Sequence, residues 1–263
     1  MGIDYYASIN KKFYISIKPT LDAYGYVSLF DENGEVLLLD IKSSYEIGGT
    51  RGAVSNDGKL FATTAYSHKG IDLRNINGNL IWNNKEIKKI QGLAFSSDNQ
   101  YLYVWNGDEP EHTYYVRISD GVVEKRIVAS GVKPSLYSAD LILSKEDTLI
   151  IDSKKIKSPS FCFLDVTTTK DGICVSPVGE ELIMYDHHGK LLWKSSFVKE
   201  NEGNHIIQLI SDERYIYGLS LNYTVYRINI IDGTSELIKN NIKFIINNKT
   251  YIDTNDVFTK INN

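Results

Sequence analysis

The sequence predicts an all-β protein built from consecutive four-stranded units, on three observations. Polar turn residues repeatedly precede short runs of aliphatic and aromatic residues, and glycine-centred turns recur further along at a nearly constant interval. Apolar residues also alternate with period two, as in TVYRINI, where Tyr226, Ile228 and Ile230 share one face. Asn, Asp and Gly tolerate the backbone of tight hairpins, whereas the runs favour strands. We therefore expect no helix longer than about two turns.

The first repeating signal is a polar turn followed by a strand-like run, and it occurs seven times. In chain order the copies are SINKKFYIS (8–16), SNDGKLFAT (55–63), SSDNQYLYV (96–104), SKEDTLIID (144–152), TTKDGICVS (168–176), ISDERYIYG (210–218) and INNKTYIDT (246–254). The second signal is a set of turns centred on Gly34, Gly78, Gly121, Gly189 and Gly233, which are 44, 43, 68 and 44 residues apart. A unit of about 40 residues that holds four short strands is typical of a β-propeller blade.

The blade count follows from the one interval that breaks this spacing. The 68-residue interval contains two of the seven polar turns, so we interpret it as a truncated fourth blade near residues 131–160, followed by a normal fifth blade. The C-terminal residues 242–262 contain three strand-like runs, and the N-terminal YYASIN is expected to supply a fourth strand and close the ring. Seven blades are predicted, with six as the alternative because the chain is short for seven.

A single domain, residues 1–263, is predicted because no linker interrupts the chain. The sequence has only five prolines, which are scattered, and no Gly/Ser-rich or highly charged stretch separates one group of repeats from another.

The repeats resemble those of the WD-repeat and related quinoprotein-type bacterial propeller families. Two turns have the pattern Asp/Asn-x-x-Gly-x-x-x-Trp, at residues 75–82 and 186–193, and a weaker copy at 31–38 ends in Leu38. These turns are similar to the tryptophan-docking turn of quinoprotein-type propellers. In those families the docking tryptophan packs between blades, so the resemblance implies that Trp82 and Trp193 belong to the core. The Gly-His dipeptide and the Trp-Asp ending of WD repeats are missing.

Charge and composition narrow the partners and the compartment. The net charge is -4 and the lysines are spread along the chain, whereas nucleic-acid binders usually carry a basic stripe. No apolar run approaches the ~18 residues that span a membrane, and the N-terminus lacks the apolar region of a signal peptide. We expect no nucleic-acid or membrane partner and a cytoplasmic location, in which Cys162 and Cys174 are free thiols.

The sequence contains no recognisable catalytic, cofactor or metal motif. It has no Gly-x-Ser-x-Gly elbow, phosphate-binding glycine loop, EF-type calcium loop or Cys-x-x-Cys pair. His187 and His188 are adjacent, and neighbouring strand residues point to opposite faces, which makes them a poor chelating pair. We predict that the protein is not an enzyme and that it binds neither a cofactor nor a metal.

One loop stands out, WNGDEPEHTYY at residues 105–115, between the second and third strands of the third blade. In a propeller such loops and the blade-to-blade connections lie at one edge of the sheets, and loops on a rigid scaffold often carry function. Pro110 restricts Glu109 to an extended conformation, so the acids are expected to point outward instead of chelating a metal. The predicted partner-binding residues are Trp105, Asp108, Glu109, Glu111, His112, Tyr66, His68 and Arg51.

The predicted function is a non-catalytic, protein-binding propeller. The chain has 18 tyrosines, a residue type that supplies large contact area at interfaces, and its insertions fall at one edge of the blades. A small, mildly acidic propeller also fits a bacterial immunity protein or antitoxin that neutralises a basic toxin by direct binding. The alternative is an enzyme or sugar binder that uses the axial channel, with Arg51, Asp57, His68 and Arg74 as candidate residues.

Overall fold

The computed structural model describes residues 3–19, 24–46, 50–65, 70–134, 141–145, 148–151, 154–157, 163–178, 182–195 and 205–260. These residues form strands and turns and no helix, which confirms the all-β prediction. No helix in this part of the chain is long and apolar enough to cross a membrane. The chain divides into two compact units, Met1–Pro134 (unit 1) and Ser135–Asn263 (unit 2). One domain over residues 1–263 therefore stays a prediction.

Unit 1 contains three antiparallel sheets of four strands each, in chain order, followed by one more strand. The strands are β1 Asp4–Ala7, β2 Phe13–Pro19, β3 Tyr24–Asp31 and β4 Val36–Glu46; β5 Thr50–Val54, β6 Leu60–Ala65, β7 Ile71–Asn75 and β8 Leu80–Asn84; β9 Ile90–Phe95, β10 Tyr101–Asn106, β11 Thr113–Arg117 and β12 Val123–Ile127; and β13 Ser130–Pro134. The final strand, β13, packs against β9 and β10.

Unit 2 continues the same pattern. Its strands are β14 Leu141–Lys145, β15 Thr148–Ile151 and β16 Lys154–Lys157; β17 Phe163–Thr168, β18 Ile173–Pro177, β19 Leu182–Tyr185 and β20 Leu191–Ser195; β21 Ile206–Ser211, β22 Tyr215–Ser220, β23 Val225–Asn229 and β24 Ser235–Lys239; and β25 Ile242–Ile245, β26 Thr250–Asp253 and β27 Phe258–Lys260. The described strands thus form seven sheets, as predicted for seven blades.

The fourth sheet differs from the truncated blade that the spacing predicted. Its strand order is β13-β14-β15-β16, so all four strands are present between Ser130 and Lys157. The blade is short because its strands have only four or five residues each. Its polar turn also has a different place: it joins the second and third strands, whereas the other six copies join the first and second.

The N-terminal strand was expected to complete the last sheet, but it belongs to the first. Asp4 pairs with Ile17 and Ala7 pairs with Tyr14 in an antiparallel hairpin. The physical reason is loop length, since a short connection loses less entropy on closure than pairing with the far end of the chain. The last sheet has three strands among the described residues, as expected for the C-terminal stretch.

The core of each unit lies between neighbouring sheets, because alternate side chains of each strand face opposite neighbours. In β6, Phe61 packs with Ile15 and Leu29 of the first sheet, whereas Ala62 packs with the third sheet. In unit 2 the fully buried Cys174 packs among the strands of the fifth and sixth sheets. It is a free thiol, as predicted, and burial raises its pKa. Cys162 lies outside the described residues.

Both docking tryptophans pack between sheets, as the resemblance implied. The indole Nε1 of Trp82 donates to the Ile118 carbonyl at 2.7 Å, and Nε1 of Trp193 donates to the Ile230 carbonyl at 2.7 Å. A glycine with positive φ covers each indole: a Cβ at Gly121 would lie 2.8 Å from Trp82, and one at Gly233 would lie 2.7 Å from Trp193. At these two positions the glycine-centred turn of one blade covers the tryptophan of the preceding blade, so a side chain on the glycine would clash with the indole.

The weaker copy of this turn uses a different residue from the one that its spacing suggested. The glycine of the following blade, Gly78, faces Ile41 and not Leu38, and a Cβ there would lie 2.9 Å from Ile41 Cδ1. Strand β4 changes its register against β3 near Leu29, and Asp40 has a positive φ of 50°. These irregularities shift the docking position three residues along the strand, which a fixed spacing does not anticipate.

Candidate binding surface

The sheets of unit 1 have two edges that differ in construction. We call the edge that carries the turns between first and second strands, and between third and fourth strands, the hairpin edge. The opposite edge carries the loops between second and third strands together with the blade-to-blade connections, and we call it the loop edge. In unit 1 the loop edge includes residues 107–112 and the connection 85–89.

The hairpin edge repeats one turn in all three sheets. Ser8, Ser55 and Ser96 each donate from Oγ to the side-chain oxygen two residues later, at 2.7, 2.7 and 2.5 Å. The same three serines also accept the amide of the residue five positions on. Such side-chain bonds to the local backbone stabilise tight turns, so the Ser-x-Asx pattern explains why these hairpins have one shape.

A relay of asparagines joins these hairpins from blade to blade. The Asn10 side chain donates to the Asn56 carbonyl at 2.6 Å, and the Asn10 amide donates to Asn56 Oδ1 at 3.2 Å. The Asn56 side chain donates in turn to the Ser97 carbonyl at 2.9 Å, and its amide donates to Asn99 Oδ1 at 3.0 Å. The hairpin edge therefore uses its polar groups internally, which leaves the loop edge as the candidate for partner contacts.

On the loop edge, the loop of the third blade has a buried base. Asn106 and His112 are both buried, and they are joined by two hydrogen bonds, from the His112 amide to Asn106 Oδ1 at 2.9 Å and from the Asn106 amide to the His112 carbonyl at 3.0 Å. The Gly107 amide donates to the Lys89 carbonyl at 2.9 Å, which ties the loop to the preceding blade connection. These bonds hold the two ends of the loop together.

The side chain of His112 lies at the buried base of this loop. Arg126 lies with its NH2 group 2.7 Å from His112 Nε2, and since a guanidinium can only donate, Nε2 is the acceptor. Arg126 also lies over the Tyr114 ring at 5.6 Å, and the rings of His112 and Tyr114 are 6.1 Å apart. His112 was predicted to contact a partner, and the structure places it beneath the loop, where it positions the exposed residues.

Of the three acidic residues in the loop, one forms an ion pair and two are exposed at the tip. Asp108 forms an ion pair with Lys89 at 2.6 Å, in which the side chains are 39% and 60% exposed. Glu109, Pro110 and Glu111 form the exposed tip of the loop, and the peptide bond between Glu109 and Pro110 is cis. Among the residues that the structure describes, no group of three His, Cys, Asp or Glu side chains converges as a metal site would require.

Trp105 is partly buried at the start of this loop because two glycines make room for its indole. A Cβ at Gly92 would overlap the six-membered ring of the indole, and one at Gly131 would lie 2.5 Å from its Cε3. The ring is therefore held between β9 and β13, and only part of it is available to a partner. Packing between these strands therefore buries most of the surface of Trp105.

Arg51 reaches the same region through Gln91. Its Nε donates to the Gln91 carbonyl at 3.2 Å, and the Gln91 side chain packs against Gly107 at the base of the loop. Arg51 also hydrogen-bonds Tyr6, whose pKa burial raises to about 12, with Asp4 adding to the rise and Arg51 opposing it. Tyr66 and His68, the remaining predicted contacts, lie outside the described residues.

The residues suggested for an axial ligand site do not converge in the described part of unit 1. Asp57 caps the hairpin edge, where it accepts from Ser55, while Arg51 lies at the loop edge. Arg74 pairs at 3.2 Å with the buried Asp72 of the same strand, β7. His68 lies outside the described residues.

Sequence reasoning missed four residues that build the loop edge: Lys89, Gln91, Asn106 and Arg126. Lys89 and Gln91 lie in the connection and strand that precede the loop, so their edge was predictable but their contacts were not. The sequence signal that could have found Lys89 and Gln91 is a general rule of propellers: the blade-to-blade connections and the loops between second and third strands lie at the same edge. Asn106 and Arg126 act through hydrogen bonds that no spacing reveals.

Comparison with known proteins identifies the fold. No family model matches the sequence, and no curated protein matches it. Among solved structures, the chain is similar to the β-propeller domain of Cps50 (Swd1) from Myceliophteria thermophila, with a TM-score of 0.68 and 11% sequence identity over 99% of this chain and 96% of that one. At this identity the likeness shows the fold alone. Together with the seven sheets, it establishes a seven-bladed β-propeller.

Proposed function

We propose that the protein is a non-catalytic β-propeller that binds a protein partner through the loop edge of unit 1. The observation that carries this proposal is the loop at residues 107–111, whose base is fixed by buried Asn106 and His112 while its tip is exposed. A loop whose ends are already held in place loses little conformational entropy on binding, which favours affinity. Its exposed groups are thus presented to a partner in one arrangement.

The chemistry of the tip favours a partner with a basic patch. Glu109 and Glu111 are exposed and flank Pro110, whereas the charge of Asp108 is compensated by Lys89. Exposed carboxylates steer a cationic partner and raise the association rate more than the final affinity. The exposed part of Trp105 and the Pro110 ring add apolar area beside these charges.

A narrower version of the proposal is that the partner is a basic toxin and that this protein is its cytoplasmic immunity protein or antitoxin. What supports it is the acidic tip of the loop and the chain's net charge of -4. The mode of action is then simple coverage of the toxin surface by direct contact, with no chemistry required.

The test is affinity capture from a native host lysate with matched variants. The loop variant carries Glu109→Lys and Glu111→Lys, and the control carries Glu32→Lys and Glu35→Lys on a turn of the hairpin edge, with the same change in net charge. We expect the wild type and the control to capture the same protein, and the loop variant to lose it. Association measured on the purified pair should slow in the loop variant and become less dependent on salt, because fewer charges remain to be screened.

Retention of the partner by the loop variant, or its loss from both variants, contradicts the proposed surface. A saturable rise in melting temperature with a sugar, from a thermal-shift panel, contradicts the non-catalytic protein-binding role in favour of the alternative. For the narrower version, expression of the captured partner alone should stop growth and co-expression should restore it. A partner that is harmless when expressed alone contradicts the toxin assignment.

A further inference from the structure

The edge of unit 2 that corresponds to the loop edge carries exposed apolar side chains on two loops. These are the loops between second and third strands in the last two sheets, at residues 221–224 and 254–257. Leu221 and Tyr223 are 48% and 49% exposed on the first loop, and Val257 is 54% exposed on the second. We call these three residues the apolar patch.

Main-chain hydrogen bonds hold the two loops beside each other. The Ile242 amide donates to the Tyr223 carbonyl at 2.8 Å, and the Thr254 amide donates to the Asn241 carbonyl at 3.0 Å. Asn241 and Ile242 are consecutive residues, so both loops are bonded to the same short segment at the start of β25. The apolar patch is therefore presented by backbone that is already held in place and loses little conformational entropy on binding.

The turn that carries Tyr223 occurs five times in the described part of the chain. In each copy the third loop residue has a positive φ and donates its amide to the carbonyl three positions earlier, and the carbonyl of the following residue accepts the amide four positions before it. The third loop residues are Gly34, Gly78, Gly189, Asp256 and Tyr223, with φ values of 84°, 80°, 84°, 64° and 59°. Glycine adopts this left-handed backbone freely and aspartate is tolerated there, whereas a bulky side chain is disfavoured. The turn itself therefore does not require a tyrosine.

Tyr223 is the one aromatic residue with a positive φ among the residues that the structure describes. A backbone conformation that disfavours its own side chain is found mainly at sites where that side chain serves a function. About half of the Tyr223 surface is exposed, so packing inside the fold uses only part of the side chain. An exposed tyrosine beside Leu221 and Val257 is typical of the centre of a protein interface, where tyrosine is enriched and charged residues are depleted.

The charged groups described at this site compensate each other. Asp256 of the second loop forms an ion pair with Lys243 at 2.8 Å. Besides Asp256 and the apolar patch, the exposed residues of the two loops and of the connection between β24 and β25 carry no charge, and they are Asn222, Asn240, Asn241, Thr254 and Asn255. A charged segment bound here would lose water without gaining an opposite charge, so charge complementarity favours an uncharged segment.

We propose that the apolar patch binds an uncharged, apolar segment of a protein partner, with Tyr223 as the central contact. The site consists of residues of unit 2 alone. Its chemistry differs from that of the acidic loop tip of unit 1, so it goes beyond the function proposed above and does not depend on it.

The test selects ligands from a displayed library of random peptides. The library is first depleted on the Tyr223→Gly variant, which removes peptides that bind elsewhere on the protein, and is then selected on the wild type. Enriched peptides are synthesised with a fluorescent label, and their affinity is measured by anisotropy at low and high salt. Leu221→Ser and Val257→Ser change the rest of the apolar patch, and Tyr223→Phe keeps the ring. The control is Lys11→Gly, which also replaces a side chain at a positive φ, of 61°, on the hairpin edge of unit 1.

We expect the enriched peptides to be rich in apolar residues and without net charge, with an affinity that does not depend on salt. Leu221→Ser and Val257→Ser should each lose several-fold in affinity, whereas Tyr223→Phe and Lys11→Gly should stay within about twofold of the wild type. The melting temperature of Tyr223→Gly should equal or exceed that of the wild type, because glycine adopts the left-handed backbone freely.

The proposal is overturned if no peptide is enriched, if the enriched peptides are charged, or if both serine variants keep full affinity. A lower melting temperature of Tyr223→Gly also overturns it, because the tyrosine would then be a structural residue. Sedimentation of the wild type alone tests a second copy of the chain as the occupant, and a dimer that Tyr223→Gly dissociates contradicts the assignment to a partner protein. The depletion step keeps all these outcomes separate from the contact proposed in unit 1.

Discussion

The two edges of unit 1 contain similar polar residues, but these residues have different roles at each edge. At the hairpin edge, Ser8, Ser55 and Ser96 form the same turn three times, and asparagines connect each turn to the next. At the loop edge, Asn106 closes a single loop and Lys89 pairs with one of its acids. Polar groups that repeat from blade to blade stabilise the scaffold, whereas polar groups that occur once hold an individual loop in place. The comparison locates the repeated stabilising contacts at one edge and the proposed partner contact at the other.

The largest expected effect concerns Trp105. This residue is an exception to the division, because it lies at the loop edge and yet packs into the scaffold. Gly92→Ala places a methyl group against the indole, so the ring must move, and overpacking of this kind costs about 2–3 kcal/mol. Urea unfolding measures the loss. The double variant with Trp105→Leu should be less destabilised than the sum of the single variants, because a smaller side chain leaves room for the methyl group. Additive losses would mean that the indole does not occupy the space between the two glycines.

The second prediction concerns the asparagine relay at the hairpin edge. Asn56→Ala removes the side chain that accepts from Asn10 and donates to Ser97, and two lost hydrogen bonds with unpaired partners cost about 2 kcal/mol. The matched control is Asn77→Ala, an exposed asparagine of a hairpin-edge turn, for which we expect a change within ~0.5 kcal/mol. Equal stability of the two variants would show that the relay contributes nothing.

The third prediction uses pH to examine the turns of the hairpin edge. The Ser96 hydroxyl and the Gln100 amide lower the pKa of Asp98 through hydrogen bonds to its carboxylate. Because the folded-state pKa lies below the unfolded value of ~4, this carboxylate stabilises the fold above that pH, and the contribution disappears as the pH falls through the folded value. Asp98→Asn should therefore lower the melting temperature at pH 6 and approach the wild type near pH 2–3. A constant difference across this range would mean that these two hydrogen bonds do not favour the ionised carboxylate.

The smallest effect is expected at the loop tip. Glu109→Lys and Glu111→Lys change exposed side chains, so each should alter the free energy of unfolding by no more than ~0.5 kcal/mol. Asp108→Asn removes an exposed ion pair with Lys89, and such pairs contribute about 0–1 kcal/mol. Differential scanning calorimetry measures all three. A loss above about 2 kcal/mol in any of them would place the loop tip among the elements that stabilise the scaffold.

The sequence predicts most of the fold because the fold depends on local patterns. Period-two runs, polar turns and glycine-centred turns each predict a hairpin, and the resemblance to quinoprotein-type propellers implied that Trp82 and Trp193 pack between blades. A fourth blade was predicted near residues 131–160, but its full set of four strands and the Ile41 docking position were not, since one depends on strand length and the other on a register shift in β4. Both are properties of strand pairing between segments, which composition does not encode.

The candidate surfaces were predicted less completely, and for a clear reason. The loop edge followed from the position of the loop between two strands, and the outward direction of Glu109 and Glu111 was inferred from Pro110. The Asp108–Lys89 pair depends on residues that are distant in sequence and adjacent in space.

The asparagine relay also has a consequence for how such a chain can grow. Asn56 receives from the hairpin before it and donates to the hairpin after it, so one short segment carries both halves of its connection. A gene duplication that copied this blade would therefore supply matching contacts on both sides of the insertion.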